Sequence, residues 1–428
     1  MKLLKLPLKK EMSLGTWTLK RPQPPERLRI PIYTDAPFYQ TPCVVVGQPV
    51  STGMKIADPR SSISGVPAFC ALNGIVTEIV RTKTASGETV LAVEIQVDKK
   101  NPASLLTSSE SLDWEQATAA RLQTQIREAG VLLLGPRLQP LAPFLEKGPF
   151  HHKTLIVNGC ESEPYVTSAQ VLWMAHPMEM LKGVEILRRA AGLNEAVIAL
   201  SEDAGQAVEV LKSKIYFLKW NHIQVKVFPS RYPQDDPAVL LPSIAPELKA
   251  LAPRDLHDWP LPDAATVFAV YEAVISGKPF FERVVTITGE CIVLPKNLLL
   301  PLGMTVADAL KTCKGVLREP GRMLAGGPMR GTLIEKQDQP LSAKTEALLA
   351  LPRELTAKTV ELDCIRCGEC AEVCPSDLTP ALIALASARQ EFQFARDLGA
   401  NQCIACGNCA YICPSHLPLV EMIQESTS

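Results

Sequence analysis

Eight of the thirteen cysteines in this 428-residue chain fall within its last 65 residues, in two runs of identical spacing. The first places Cys364, Cys367, Cys370 and Cys374 before Pro375; the second places Cys403, Cys406, Cys409 and Cys413 before Pro414. Both read C-x2-C-x2-C-x3-C-P, the spacing of proteins that carry two [4Fe–4S] clusters. Two-residue gaps let three thiolates converge from one tight loop onto three irons of a cube. Gly368 and Gly407 relieve crowding where the backbone folds round the cluster. A proline after the fourth cysteine keeps that residue out of helical geometry and turns its sulfur away from its own loop. With this spacing the fourth cysteine of each run serves the other cube. The expected ligand sets are therefore Cys364, Cys367, Cys370 and Cys413 for one cluster, and Cys374, Cys403, Cys406 and Cys409 for the other. Zinc is the alternative for such thiols, although it more usually takes paired C-x2-C knuckles on a longer ribbon. The remaining cysteines, Cys43, Cys70, Cys160, Cys291 and Cys313, are scattered and read as small buried hydrophobes.

Thiols held for one-electron chemistry need a scaffold. Between the runs, Leu382, Leu385, Phe392 and Leu398 recur at helical spacing up to Gly399, which predicts a helix joining the two loops. Upstream, the chain divides by pattern. Residues 1–25 read as a tail ending in a proline-rich stretch. Residues 26–105 are β-like, with Leu91, Val93, Ile95 and Val97 alternating, and predict a small β-sandwich or barrel. Over 115–260, strands at 154–157, 196–200 and 223–228 alternate with helices at 178–191 and 204–215, the order of a parallel sheet with helices packed on it. Residues 283–345 form another small module, in which Thr305 and Asp308 make a capping box. Residues 355–428 carry the cysteine runs. The fold class is α/β with small β modules.

Composition narrows the partners. With 46% hydrophobic and 21% charged residues the chain is globular, and a net charge of -1 creates no field that would gather nucleic acid. No apolar run reaches the roughly 18 residues of a membrane helix, and Met1–Lys5 lack the continuous apolar stretch of a signal peptide. Cysteine clustering without a secretory signal indicates metal or redox chemistry in the cytosol.

With the modules in this order, the chain resembles the RnfC family, whose members belong to the Rnf electron-transport complex. Beyond the cysteine runs, the resemblance is carried by Asn158–Tyr165, Glu282–Glu290, Gly326–Met329 and Pro414–Val420. It implies a lipoyl-like barrel sandwich at 26–105 and a Rossmann-like α/β domain similar to the flavin subunit of respiratory complex I at 115–260. It also implies a β-grasp (SLBB-like) module at 283–345 and a helical two-cluster ferredoxin domain at 355–428. The implied function is electron transfer between a ferredoxin and NAD couple, linked to ion translocation. The implied partners are integral-membrane subunits and a ferredoxin-like or other redox protein, with this chain peripheral on the cytoplasmic side of the inner membrane.

The departures from the family bear on FMN and NADH. A glycine-rich loop of the type G-x-G-G-A-G-F-P is here Leu133-Leu134-Gly135-Pro136-Arg137-Leu138-Gln139-Pro140, with one of four glycines left. Such loops work by bringing backbone N–H groups to phosphate. Pro136 removes a donor, and Leu133 and Leu138 place side chains where a ligand would lie. The family's Y-P-Q-G-G-E-K becomes Tyr232–Ala238, with Asp235 and Asp236 in place of two glycines, and these carboxylates are expected to repel a phosphate. Glu161 and Glu163 remain from the FMN/NADH site. The expectation is a degenerate nucleotide site, no independent NADH dehydrogenase activity, and relay through the clusters alone. Two alternatives stay open: a soluble flavin reductase similar to the cobalamin reductases of microcompartments, and a non-catalytic assembly subunit.

Overall fold

The computed structural model describes residues 3–7, 10, 18–59, 65–103, 112–135, 137–148, 150, 153–356 and 360–427. Pro136 lies outside the described residues.

Near the N-terminus, strand Thr89–Val97 pairs antiparallel with Arg27–Ile32 on one side and Gly74–Lys83 on the other, which itself pairs with Pro49–Val50. A second sheet joins Gln40–Pro42, Lys55–Pro59 and Ala68–Phe69. Val93 and Ile95 are fully buried, and their neighbours Ala92 and Glu94 are buried too, so the strand is covered on both faces. This sandwich does not keep a core to itself. Leu28, Ile30 and Ile95 share one apolar cluster with Val285, Ile287 and Leu298 of a five-stranded sheet that runs in the order Lys296–Pro301, Glu282–Thr288, Ala347–Leu351, Arg322–Ala325, Thr332–Leu333. Gly303 sets how closely they approach. It takes φ +88°, and a Cβ there would lie 2.7 Å from the backbone of Arg29.

The α/β part has the expected parallel sheet, Thr154–Asn158, Glu195–Ser201 and Ile223–Phe228, in sequential order. Pro177–Ala190 and Gly205–Leu218 are the crossover helices. Leu155, Val157, Ala196 and Ile198 bury one face of the sheet beneath them. Gly183 lets Pro177–Ala190 settle onto Ala264–Ile275, since a Cβ would sit 2.4 Å from the Val267 carbonyl.

Two expectations need correction. The single helix between the cysteine runs is two, Pro380–Ala388 and Phe392–Asp397, separated at Gln390, which takes φ +60°. Ile383, Ala384 and Ala395 form the core, whereas Leu382, Leu385 and Phe392 face outward. Nor do the described residues of the N-terminal segment hang free as a tail. Leu4 and Tyr232 exchange both backbone hydrogen bonds, at 3.0 and 2.8 Å, and Leu299 N–H donates to the Lys20 carbonyl at 2.9 Å. Among the described residues, no helix is long and apolar enough to cross a membrane.

Candidate iron–sulfur and nucleotide site

Cys364, Cys367, Cys370 and Cys413 line one cavity of about 420 Å³. Cys374, Cys403, Cys406 and Cys409 line a second, of about 20 Å³. Each run contributes three cysteines to one cavity and its fourth to the other. The two loops have one backbone design repeated 39 residues apart: positive φ recurs at Arg366 and Ala405, at Gly368 and Gly407, and at Asp377 and His416. The pairing of cysteines is visible in the spacing, and the glycines of this repeat are visible there too; the left-handed turns at the other four positions are not.

The donor chemistry fits iron–sulfur cubes. Leu378 N–H donates to Cys374 Sγ and Ala405 N–H to Cys403 Sγ, each at 3.4 Å, the kind of bond that steadies a thiolate ligand. Burial pushes the Cys406 thiol up to about 12 and raises those of Cys374, Cys403 and Cys409. These sulfurs therefore hold their protons until a metal displaces them. The surroundings differ. Cys367 is exposed, while Cys374, Cys406 and Cys409 are buried. Of the scattered cysteines, Cys70, Cys160, Cys291 and Cys313 are buried as expected; Cys43 is exposed.

Behind the inner set lies a polar cleft of about 440 Å³, walled by the α/β part, by the Gly326–Thr332 turn of the five-stranded sheet, and by Ile404 and Ala405 of the second cysteine loop. Tyr232 ties the two sites together: its hydroxyl donates to the Cys406 carbonyl at 2.6 Å, and its ring packs with Leu6 and Cys406.

Glu161 and Glu163 both reach this cleft, and both are engaged with the protein. Glu161 accepts from Ser168 Oγ (3.0 Å), Ala169 N (2.9 Å) and Gln170 N (3.3 Å), closing the first turn of helix Ser168–Ala175. Glu163 accepts from the backbone N–H groups of Met329 (3.1 Å) and Arg330 (3.0 Å). Burial raises both carboxyls above the usual range. Glu346, in the same wall, is pushed up to about 7 by burial.

The structure revises the reading of Asp235 and Asp236. They do not present free negative charge. Arg330 Nη2 donates to both Asp235 oxygens at 2.9 Å, its Nη1 reaches Asp236 Oδ2 at 3.4 Å, and its Nε reaches Glu163 Oε1 at 3.4 Å. His257 Nε2 lies 2.9 Å from Asp236 Oδ1. Asp236 also accepts from Ala238 N–H at the start of helix Pro237–Ile244. The guanidinium lies 5.4 Å from the centre of the Tyr232 ring. Leu133 is buried in the α/β core and not in the cleft; Leu134, Gly135 and Leu138 line it instead. Sequence reasoning missed Arg330 entirely, and also Lys10, whose ammonium bonds the Glu161 carbonyl and Asp203 Oδ2 (2.9 Å for the latter). Two adjacent aspartates on a loop heading for the interior were a signal that a cation had to be near.

Four family models match the chain in succession: an RnfC barrel sandwich hybrid domain over 4–100, the Nuo51 FMN-binding domain over 126–261, an SLBB domain over 284–333 and a 4Fe-4S dicluster domain over 358–414. A dicluster domain carried behind an FMN-binding-type domain defines an electron-transport protein. The chain belongs to the RnfC-like family. It is 27% identical to the C-subunit of the proton-translocating ferredoxin:NAD(+) oxidoreductase complex of Clostridium ljungdahlii, over 87% of this chain and 81% of that one. It is 28% identical to the C-subunit of the Na(+)-translocating counterpart of Acetobacterium woodii, over 85% and 82%. With the C-subunit of the ion-translocating oxidoreductase complex of Serratia proteamaculans it shares 30% identity over 83% of this chain, and it spans only 50% of that longer protein.

Proposed function

We propose that this chain is the iron–sulfur relay subunit of an Rnf-type complex that couples electron transfer between a ferredoxin and NAD couple to ion translocation. Its partners are the other subunits of that complex, and it sits peripherally on the cytoplasmic side of the membrane. The observation that carries the reading is the sorting of eight cysteines into two cavities, one open to the surface and one abutting the cleft. A bound [4Fe–4S] cube supplies reversible one-electron storage. The chain's part is to hold each cube by four thiolates, donate N–H groups to sulfur, and keep the inner set dry beneath Tyr232, Leu6 and Met329.

We infer that the cleft takes neither FMN nor a nicotinamide, although the domain around it matches an FMN-binding one. Arg330 occupies it with three carboxylates as partners, and Gly327, the kind of residue that lets a ligand approach backbone, instead admits Glu163, whose Oε2 lies 2.2 Å from where a Cβ would be. Electrons then enter and leave through protein partners.

Anaerobic purification with iron, sulfide and flavin analysis tests both parts. About eight irons per chain, no flavin, and no cluster reduction by NADH are expected. One FMN per chain, reduced rapidly by NADH, would overturn the degenerate cleft. Zinc in place of iron and sulfide would overturn the relay.

A further inference from the structure

The two cysteine sets are covered very differently. Over the inner set lie Leu6, Tyr232 and Met329. Among the described residues the outer set has no such cover: Leu362 is 57% exposed, Ile365 68%, Leu382 47% and Phe394 47%. Ile365, Leu382 and Phe394 line the same cavity as Cys364, Cys367, Cys370 and Cys413. Leu382 is also one of the residues whose helical spacing the sequence showed. Apolar side chains gathered on one face round a cofactor site are a binding surface, since single exposed leucines would be scattered.

Charge says what covers it. Residues 360–428 contain nine carboxylates against three arginines and no lysine, although the whole chain is near neutral at -1. Glu361, Asp363, Glu369 and Glu391 are exposed beside the outer loop or in the cavity wall, where Arg366 and Arg389 join them. Four thiolates add further negative charge once the site is loaded.

We propose that the open face of the outer cysteine set is the docking surface for a basic redox protein, one with an apolar centre ringed by lysine and arginine. This rests on the relay reading and adds to it the chemistry of the partner. The apolar centre brings the two cofactors close, and the opposite charges steer the encounter. In the transfer, the outer cube loses one electron and the partner's centre gains it; no bond is made or broken.

The full chain, purified anaerobically, reduced with dithionite and desalted, is mixed in a stopped-flow instrument with two probes. One is cytochrome c, a basic protein with a lysine-ringed haem edge. The other is an acidic two-cluster ferredoxin. The rate to cytochrome c should fall at least tenfold as salt rises from about 10 to 300 mM, while the rate to the ferredoxin should rise or stay low. Combining Glu361→Lys with Glu391→Lys should lower the low-salt rate to cytochrome c about tenfold and flatten the salt curve. Combining Leu382→Ser with Phe394→Ser should slow transfer at every salt concentration with both cluster EPR signals intact, whereas Phe217→Ser, on an exposed aromatic of the α/β part, should change nothing. A rate to cytochrome c that is indifferent to salt, or to the charge reversals, would overturn the docking surface while leaving the relay standing. Absent cluster signals in the starting protein would overturn the relay itself, and the docking surface with it.

Discussion

Arg330→Met is expected to lower the stability of the cleft by about 3–5 kcal/mol, the usual cost of stripping one partner from a buried ion pair. Three carboxylates depend on this guanidinium. The side chains of Glu163 and Asp236 are only 2% and 1% exposed, so water cannot take its place. Tryptophan fluorescence follows unfolding in a urea titration, with the fully buried Trp173 among the reporters. The deficit should also depend on pH. Burial already raises the Glu163 carboxyl, and Arg330 acts to lower it. Without the arginine it rises further, so the folded variant holds a proton that the unfolded chain releases. Stability then increases as pH falls. The gain is complete below the ordinary carboxyl range and is lost as pH climbs through the raised folded value. The variant should therefore lie closer to the parent at pH 5 than at pH 8. Adding Asp235→Asn should recover much of the loss, by removing the charge left unpaired. A midpoint unchanged at pH 8 would mean that the four groups are not coupled as drawn.

Cys374→Ser should abolish the inner cluster although the residue belongs to the outer run. It lines the cavity of Cys403, Cys406 and Cys409, so its loss should halve the iron content, a drop of about four per chain. It should erase the same reduced-state EPR signal as Cys409→Ser. Cys413→Ser should instead match Cys367→Ser, since both line the outer cavity. If Cys374→Ser and Cys367→Ser removed one common signal, each run would be feeding its own cube and the crossed assignment would fail.

What could be read from sequence was whatever depends on short-range pattern. Thr154–Asn158, Glu195–Ser201 and Ile223–Phe228 were legible because short apolar strands, the last alternating with Gln224 and Lys226, are interleaved with helices of the right length. That three thiols of each run gather at one cavity was legible because the spacing alone forces them together; the crossed ligand sets are a proposal that the cysteine variants test. The spacing of Leu382, Leu385, Phe392 and Leu398 suggested one helix where there are two, because apolar periodicity does not reveal the left-handed break at Gln390. At 380–388 Ile383 and the small residues Ala384, Ala386 and Ser387 do the packing, and Leu382 and Leu385 are left exposed. Arg330 stayed hidden for a different reason. It meets Asp235 across 95 residues, and no periodicity links a turn in one module to a loop in another. Seen alone, the two aspartates looked like repulsion; with their partner in place they are a clamp between modules.

The pairing of Leu4 with Tyr232 has a consequence for how this protein ages in air. That backbone ladder and the Leu6 side chain form the lid over the loop of Cys406. A protease that clipped the first six residues would leave every cysteine in place yet strip Leu4 and Leu6 from the cover over Cys406, thinning the shield of the proposed inner cluster against dioxygen. Bleaching of old preparations would then track trimming at the far end of the polypeptide, hundreds of residues from the sulfurs being oxidised.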